Sequence, residues 1–275
     1  MAPSNLPPET RAGRERRGTL KTSAARPARN AGLPPREAAG TIPPERLRAL
    51  AQDLDIPLDQ LQLRRLLDYA ALLARWNRVH NLTAIDRGED LLTHHLLDCL
   101  SIVRPLERAL RDYAVAPPPG RELRVLDAGT GAGLPGIPLA VLHTDWRVSL
   151  VDAVQKKCAF LHQAQVELAL RNVSVHHARL ESCGLAAQDL IVSRAFASLA
   201  DFVAATRALL APRGLWAAMK GRFPEREIEA LPPDIEALAT VTLRVPQLAE
   251  ERHLVLLRQA PGARPPAGPA SRAGA

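Results

Sequence analysis

The sequence predicts an α/β protein: a mostly parallel, doubly wound sheet with an antiparallel edge strand, preceded by a helical N-terminal extension. Three observations carry this reading. Apolar residues between positions 58 and 78 recur at helical spacing. Beyond Gly120, short apolar runs alternate with helix-like stretches. The chain then closes on two strand-like runs with no long helix between them.

Residues 1–40 mix Pro, Ala, Gly and Ser with eight Arg/Lys and three Glu. Such a stretch cannot bury enough apolar surface to offset the entropy of ordering, so it reads as a disordered basic tail. Its acid-poor character is that of an organelle transit peptide, but six prolines spoil the amphipathic helix such peptides need. Residues 41–118 read as a helical unit. Leu63, Leu66, Leu67, Ala70, Leu73 and Ala74 fall on one face of a helix over 58–78, flanked by helices near 44–53 and 89–104. Pro105 and Pro117-Pro118-Pro119 punctuate the end of this unit. Residues 119–260 form the second domain. Its strands are expected at Leu123–Leu126, Val148–Val151, Val173–Val175, Leu190–Val192, Leu215–Met219, Ala239–Val245 and His253–Leu257. Helices at 134–143, 154–170 and 198–210 separate the first of them. Residues 261–275 are a second disordered tail.

Composition excludes several classes. With 275 residues and 47% hydrophobic content the chain can bury a sizeable core. No apolar run reaches the roughly 18 residues of a membrane helix, and no secretory leader is visible at the N-terminus. Three cysteines, Cys99, Cys158 and Cys183, lie far apart, which argues against a disulfide framework and a zinc knuckle. His94, His176 and His177 have no metal-ligand spacing, so no metal is expected. A reduced, cytoplasmic protein, monomeric and off the membrane, is the natural expectation. The net charge of +7 belongs to the two tails, and the body between them is neutral. Any nucleic-acid site on the body must come from local clustering.

The stretch LDAGTGAGLPGIP, Leu126 to Pro138, carries the clearest chemistry. It follows a strand and opens a helix, where ligands meet the carboxyl ends of parallel strands. No Gly-Lys-Ser/Thr follows, so it is not a phosphate-cradling loop. The dinucleotide fingerprint fails as well, because Leu134 stands where its third glycine belongs. An aspartate opens the loop, and a second, Asp152, ends the next strand. This suits a nucleoside ligand without phosphate, and S-adenosylmethionine fits. Gly129 and Gly131 would let the backbone lie against it, and Asp152 would accept from its ribose hydroxyls. Asp127 would orient the loop or, through water, the ligand's ammonium.

Methyl transfer from a sulfonium is an in-line displacement that needs alignment above all. After the fourth strand stands Ser193-Arg194-Ala195-Phe196-Ala197-Ser198, with no Asp/Asn-Pro-Pro-aromatic motif and no nearby cysteine. This lip offers a cation and an aromatic but no base, which suits an acceptor with a free lone pair, such as guanine N7. Arg194 is the candidate catalytic residue, either reading guanine or neutralising phosphate, with a structural ion pair as its alternative. Phe196 would stack on a splayed-out base or fill core.

These stretches resemble one family, the bacterial small-subunit ribosomal RNA methyltransferase G, also called glucose-inhibited division protein B. The likeness runs from about Leu58 to Leu257. It includes Trp76-Asn77-Arg78-Val79-His80-Asn81-Leu82-Thr83, His95-Leu96-Leu97-Asp98, the glycine loop, the lip through Leu199, Lys220-Gly221 and Glu251-Arg252-His253-Leu254-Val255. The resemblance implies a Rossmann-like class I methyltransferase domain and transfer from S-adenosylmethionine to N7 of a guanine in the decoding-region loop of 16S rRNA. It also implies cofactor contacts at Gly129, Leu134, Leu180, Glu181 and Arg194. The partner would be 16S rRNA or the small ribosomal subunit. The forty-residue tail is extra to the family; it adds salt-sensitive phosphate attraction or nothing.

Other marked residues read more plainly. His95 and Asp98 suit a hydrogen bond between the two domains, Asn81 and Thr83 a cap and turn, and Lys156-Lys157 a solvated face. Lys220, Arg222, Arg252 and His253 lie at strand ends on the ligand edge, where phosphate contact is an open reading. Two other functions stay open: methylation of a small molecule or protein, and a non-catalytic nucleoside-binding regulator.

Overall fold

The structure is a computed structural model that describes residues 42–85, 88–194 and 196–262. The readings for residues 1–40 and for 263–275 lie outside the described residues. Helix α1 (Pro44–Gln52) begins with a proline in its first turn, where the missing N–H costs nothing. Helix α2 (Gln60–His80) starts on a capping box: Asp59 accepts from the Gln62 N–H at 2.7 Å, and the Gln62 side chain accepts from the Asp59 N–H at 3.0 Å. It stops at Asn81, whose left-handed backbone (φ 47°) closes the last turn.

Helix α3 runs over 88–101 and is α-helical at both ends, Gly88–Leu91 and Asp98–Ser101. Between them the segment Leu92–Leu97 widens into π-helix. Such bulges are rare and gather at functional sites. Helix α4 (Val103–Asp112) was not expected. Pro105 was read as a stop, but it sits in the first turn of this helix, where proline is tolerated. The apolar face Val103, Leu106, Ala109 then carries the helix on.

The sheet has seven strands: β1 (Leu123–Ala128), β2 (Trp146–Asp152), β3 (Val173–His177), β4 (Gln188–Ser193), β5 (Leu210–Lys220), β6 (Ile235–Leu243) and β7 (Arg252–Gln259). Their order is 3-2-1-4-5-7-6. The first five are parallel, and β7 runs antiparallel to both its neighbours. The reversed strand therefore lies one place in from the edge, with β6 outermost. The doubly wound sheet matches the expected class.

Alternating side chains split the core between the two faces. Val125, Val148, Leu190, Leu215 and Leu254 share one apolar cluster with α1 to α4 and with helices α5 (Gly136–Leu142) and α6 (Gln155–Glu167). Leu126, Val151, Ile191, Trp216 and Val255 face helix α7 (Leu199–Thr206), and a short helix α8 (Glu225–Glu229) adds Ile228. The N-terminal helices are thus a wall of the sheet's own core. That brings the α2 exit and the π segment to the rim where β1, β4 and β5 end.

Candidate functional site

The four glycines of the loop divide into two pairs. Gly129 and Gly131 take left-handed backbone, φ 67° and 61°. A Cβ built on Gly131 would meet nothing nearer than the Gly129 carbonyl at 4.0 Å. It would stand in a hollow of about 200 Å³ lined by Leu82, Thr83, Gly129, Thr130, Gly131, Ala132, Leu134, Lys157 and Arg194. Gly133, whose φ of 89° is also positive, and Gly136 leave no room for a Cβ and serve packing. A Cβ on Gly136 would run into Leu150 Cδ2, Asp127 Oδ2 at 2.7 Å and Asp127 Cβ at 3.0 Å. The glycine that lets the helix close on the strand is therefore Gly136, two places beyond the dinucleotide spacing.

Asp127 is fully buried and orients the loop. One oxygen accepts from the Thr130 hydroxyl (2.6 Å) and the Gly136 N–H (2.7 Å), and the other has no hydrogen-bond partner among the described residues. Burial lifts its carboxyl to about 6, against those two hydrogen bonds. Asp152, also buried, accepts from the Gly131 N–H at 2.9 Å and the Val154 N–H at 2.8 Å, with Lys157 Nζ 3.4 Å away. It holds Gly131 by its N–H but is not among the residues lining the hollow. From the helical side, the Tyr69 hydroxyl donates to the Ala132 carbonyl at 2.6 Å. The loop is tied down from three directions before any ligand arrives.

Does the hollow fit S-adenosylmethionine? A phosphate would need converging cations or N–H groups. Here the Gly131 N–H is taken by Asp152, and Lys157 lies against the same carboxylate. An open cradle left by the missing Cβ of Gly131, flanked by apolar Leu82, Ala132 and Leu134, fits a neutral nucleoside with a sulfonium.

Arg194 opens a second space. It also lines a cleft of about 320 Å³ with His94, His95, Asp98, Met219, Lys220, Arg252 and His253. Arg194 is common to both linings and stands where they meet. Its Nη1 donates to the His94 carbonyl, inside the π segment, at 3.0 Å and to Asp98 Oδ2 at 3.1 Å. Arg252 Nε lies 3.2 Å from Asp98 Oδ1, an ion pair without the alignment of a good hydrogen bond. Burial raises the Asp98 carboxyl while both guanidinium groups oppose it. His95 goes the other way: burial, then the Arg194 charge, lower it to about 4. Its ring is neutral at pH 7, with Nδ1–H donating to the His94 carbonyl and Nε2 accepting from the Thr83 hydroxyl, each at 2.9 Å.

Of the residues singled out in the sequence, Gly129, Gly131, Leu134 and Arg194 come together around one hollow, and Asp152 touches it through Gly131. Leu180 and Glu181 form a 3₁₀ turn after β3 and line neither space. Phe196 packs on Phe202, centroids 5.2 Å apart, and belongs with the core of the α7 face. Lys156 and Lys157 are not a plain solvated face. Lys156 Nζ donates to the His80 carbonyl at 2.8 Å, and Lys157 borders the hollow. Lys220 pairs with Glu227 at 2.7 Å and donates to the carbonyls of Phe196 (3.2 Å) and Ala197 (3.3 Å), so it holds the lip. Leu82, Thr83 and Tyr69 were missed as site residues. Leu82 and Thr83 end the Trp76–Thr83 stretch, but their place after the long helix, like that of Tyr69 within it, reads equally as cap and core. Among the described residues no three His, Cys, Asp or Glu side chains gather as a metal site, and no helix is long and apolar enough to cross a membrane.

Comparison with known proteins agrees on a family. A family model described as rRNA small subunit methyltransferase G matches residues 62–255. A protein of Methylibium petroleiphilum named "Ribosomal RNA small subunit methyltransferase G" is 45% identical over 226 residues, spanning 80% of this chain and 99% of its own. One of the same name from Ralstonia nicotianae is 49% identical over 212 residues, spanning 77% and 93%. Among solved structures, a "SAM dependent methyltransferase from Aquifex aeolicus" is 18% identical with a TM-score of 0.44, over 64% of this chain and 96% of that one.

Proposed function

The chain belongs to the ribosomal RNA small subunit methyltransferase G family, and from that premise we infer an S-adenosylmethionine-dependent enzyme that methylates N7 of a guanine in 16S rRNA. The observation that carries the reading is Arg194, shared between the glycine-loop hollow and the cleft beside it. A donor in the first and an acceptor base in the second would meet across one guanidinium.

When bound, the cofactor supplies an electrophilic methyl group on sulfur. Everything else is positioning. Gly129, Gly131 and Leu134 would form the floor and wall of its site. Asp152 would fix Gly131 and offer its remaining lone pairs to the ribose, and Leu180-Glu181 would meet adenine as the family resemblance implies. On the acceptor side a base is not required, because guanine N7 carries a free lone pair and gives up no proton. The residues agree with this. His95 is neutral but spends both ring nitrogens on Thr83 and the His94 carbonyl, and Asp98 is committed to two arginines. Arg194 would steer the guanine through its acceptor edge while leaving N7 free.

The test supplies labelled cofactor to the purified protein with deproteinised 16S rRNA, with intact small subunits, and with a lysate freed of RNA. Label in the RNA that maps to guanine N7 is expected. Label only in the RNA-free lysate would assign another acceptor. Tight cofactor binding without transfer would make the protein a regulator.

A further inference from the structure

The chain has four phenylalanines, and three are packed away: Phe160 and Phe202 are fully buried and Phe196 lies against Phe202. The fourth, Phe223, is 54% exposed. It follows β5 in the run Lys220-Gly221-Arg222-Phe223-Pro224, at the rim where the parallel strands end. Its ring stands edge-on to His253, centroids 5.7 Å apart and planes at 82°. His253 is itself part of the lining of the acceptor-side cleft, beside Arg252 and Lys220. This ring contact sets Phe223 beside the cleft lining while more than half of the residue stays in water. Next to it, Arg222 is exposed.

We propose that Phe223 is a stacking platform for an unpaired base of the RNA, the nucleotide next to the one that enters the cleft. An aromatic face is sequence-tolerant, because every base has a π surface to lay on it. A base pulled from a stack to present its N7 must leave neighbours behind, and a ring at the cleft mouth replaces part of the stacking they lose. The partner is single-stranded RNA at this rim. A duplex would not offer base faces. The inference rests on the acceptor being RNA and adds where the strand lies.

The experiment is steady-state methylation of deproteinised 16S rRNA by wild type, Phe223→Ala, Phe223→Leu and Phe223→Tyr, with cofactor affinity measured separately by titration calorimetry. Expected are a KM for RNA raised about 5- to 150-fold in the Ala variant, the range that loss of one stacked base implies, a similar rise for Leu, and recovery in Tyr. Cofactor affinity stays at the wild-type value. An unchanged KM in Phe223→Ala overturns the proposal, as does a Leu variant as good as Tyr, which would mean plain apolar contact. If wild type itself leaves 16S rRNA unlabelled, the functional reading has failed instead.

Discussion

Alanine at Gly131 and alanine at Gly136 should damage the protein in opposite ways. At Gly131 the side chain has room, so the stability cost is the left-handed backbone, about 1–2 kcal/mol for an L residue. The lost freedom of the unfolded chain returns about 0.4–1 kcal/mol, leaving a net loss of about 1 kcal/mol. The new methyl, however, stands inside the 200 Å³ hollow. Affinity for S-adenosylmethionine or its demethylated product should fall at least about tenfold, or 1.4 kcal/mol. At Gly136 the methyl meets Leu150 and the Asp127 carboxylate, whose two hydrogen bonds leave it no freedom to yield. Overpacking of this kind costs about 1–3 kcal/mol, and loosening the Gly136 N–H from a buried carboxylate adds about 1–3 kcal/mol. We expect about 3 kcal/mol in all, a drop of about 6–12 °C in Tm at 2–4 °C per kcal/mol. Urea titration with unchanged slope measures stability, and calorimetry measures binding. If Gly136→Ala were as stable as wild type, or Gly131→Ala bound the cofactor normally, the division of the loop into two ligand glycines and two packing glycines would be wrong.

Asp127 should make stability fall as pH rises. Its folded carboxyl titrates at about 6 against 3.8 unfolded. Ionisation therefore costs the folded state across that window, about 3 kcal/mol in total. Subtracting the Asp127→Asn profile from that of wild type between pH 4 and 7 should isolate this slope, and a flat difference would contradict the buried, half-satisfied carboxylate. Arg194 and Asp98 should couple by about 0.5–3 kcal/mol in a double-mutant cycle of Arg194→Ala and Asp98→Asn, since they meet at 3.1 Å in a largely buried site. Additive losses in urea titrations would refute the pairing. Lys220→Ala should leave the salt dependence of RNA binding unchanged, because Lys220 is spent on Glu227 and the lip carbonyls. Arg222→Ala should lower the log–log slope by about one phosphate contact. Equal slopes in the two variants would assign both side chains the same role.

How much of this was legible beforehand depended on what each feature needs. The strands announced themselves because a strand buried on both faces must be a nearly continuous apolar run, as Leu190–Val192 is and as Val148–Val151 is apart from Ser149. The glycine loop was legible because Gly129 and Gly131 have few other reasons to follow a strand. Helix α4 was not, because Pro105 carries the same letter whether it stops a helix or starts one. The π segment left no trace either, since a one-residue change of helical pitch depends on what Thr93 to Leu97 pack against rather than on their propensities. The cleft was half visible. Arg194 stood out for its chemistry, but its pairing with Asp98, which Arg252 shares, joins residues brought together only by the tertiary fold. Phe196 and Phe223 show the limit of composition. Phe196 looked like an aromatic beside a site and packing shows that it is spent on Phe202, whereas Phe223 drew no notice in the sequence.

The reversed strand β7 has one further result. Every parallel strand brings its last residues to the binding rim, whereas β7 brings its first, Arg252 and His253. Domains generally form from the N-terminus as they are made, at about 5–20 residues per second. A nascent chain can thus assemble the five parallel strands and the glycine turn while Asp98 still has only one of its two arginines. The residues around the glycine-loop hollow have all been made seconds before Arg252 and His253 arrive to finish the lining of the neighbouring cleft.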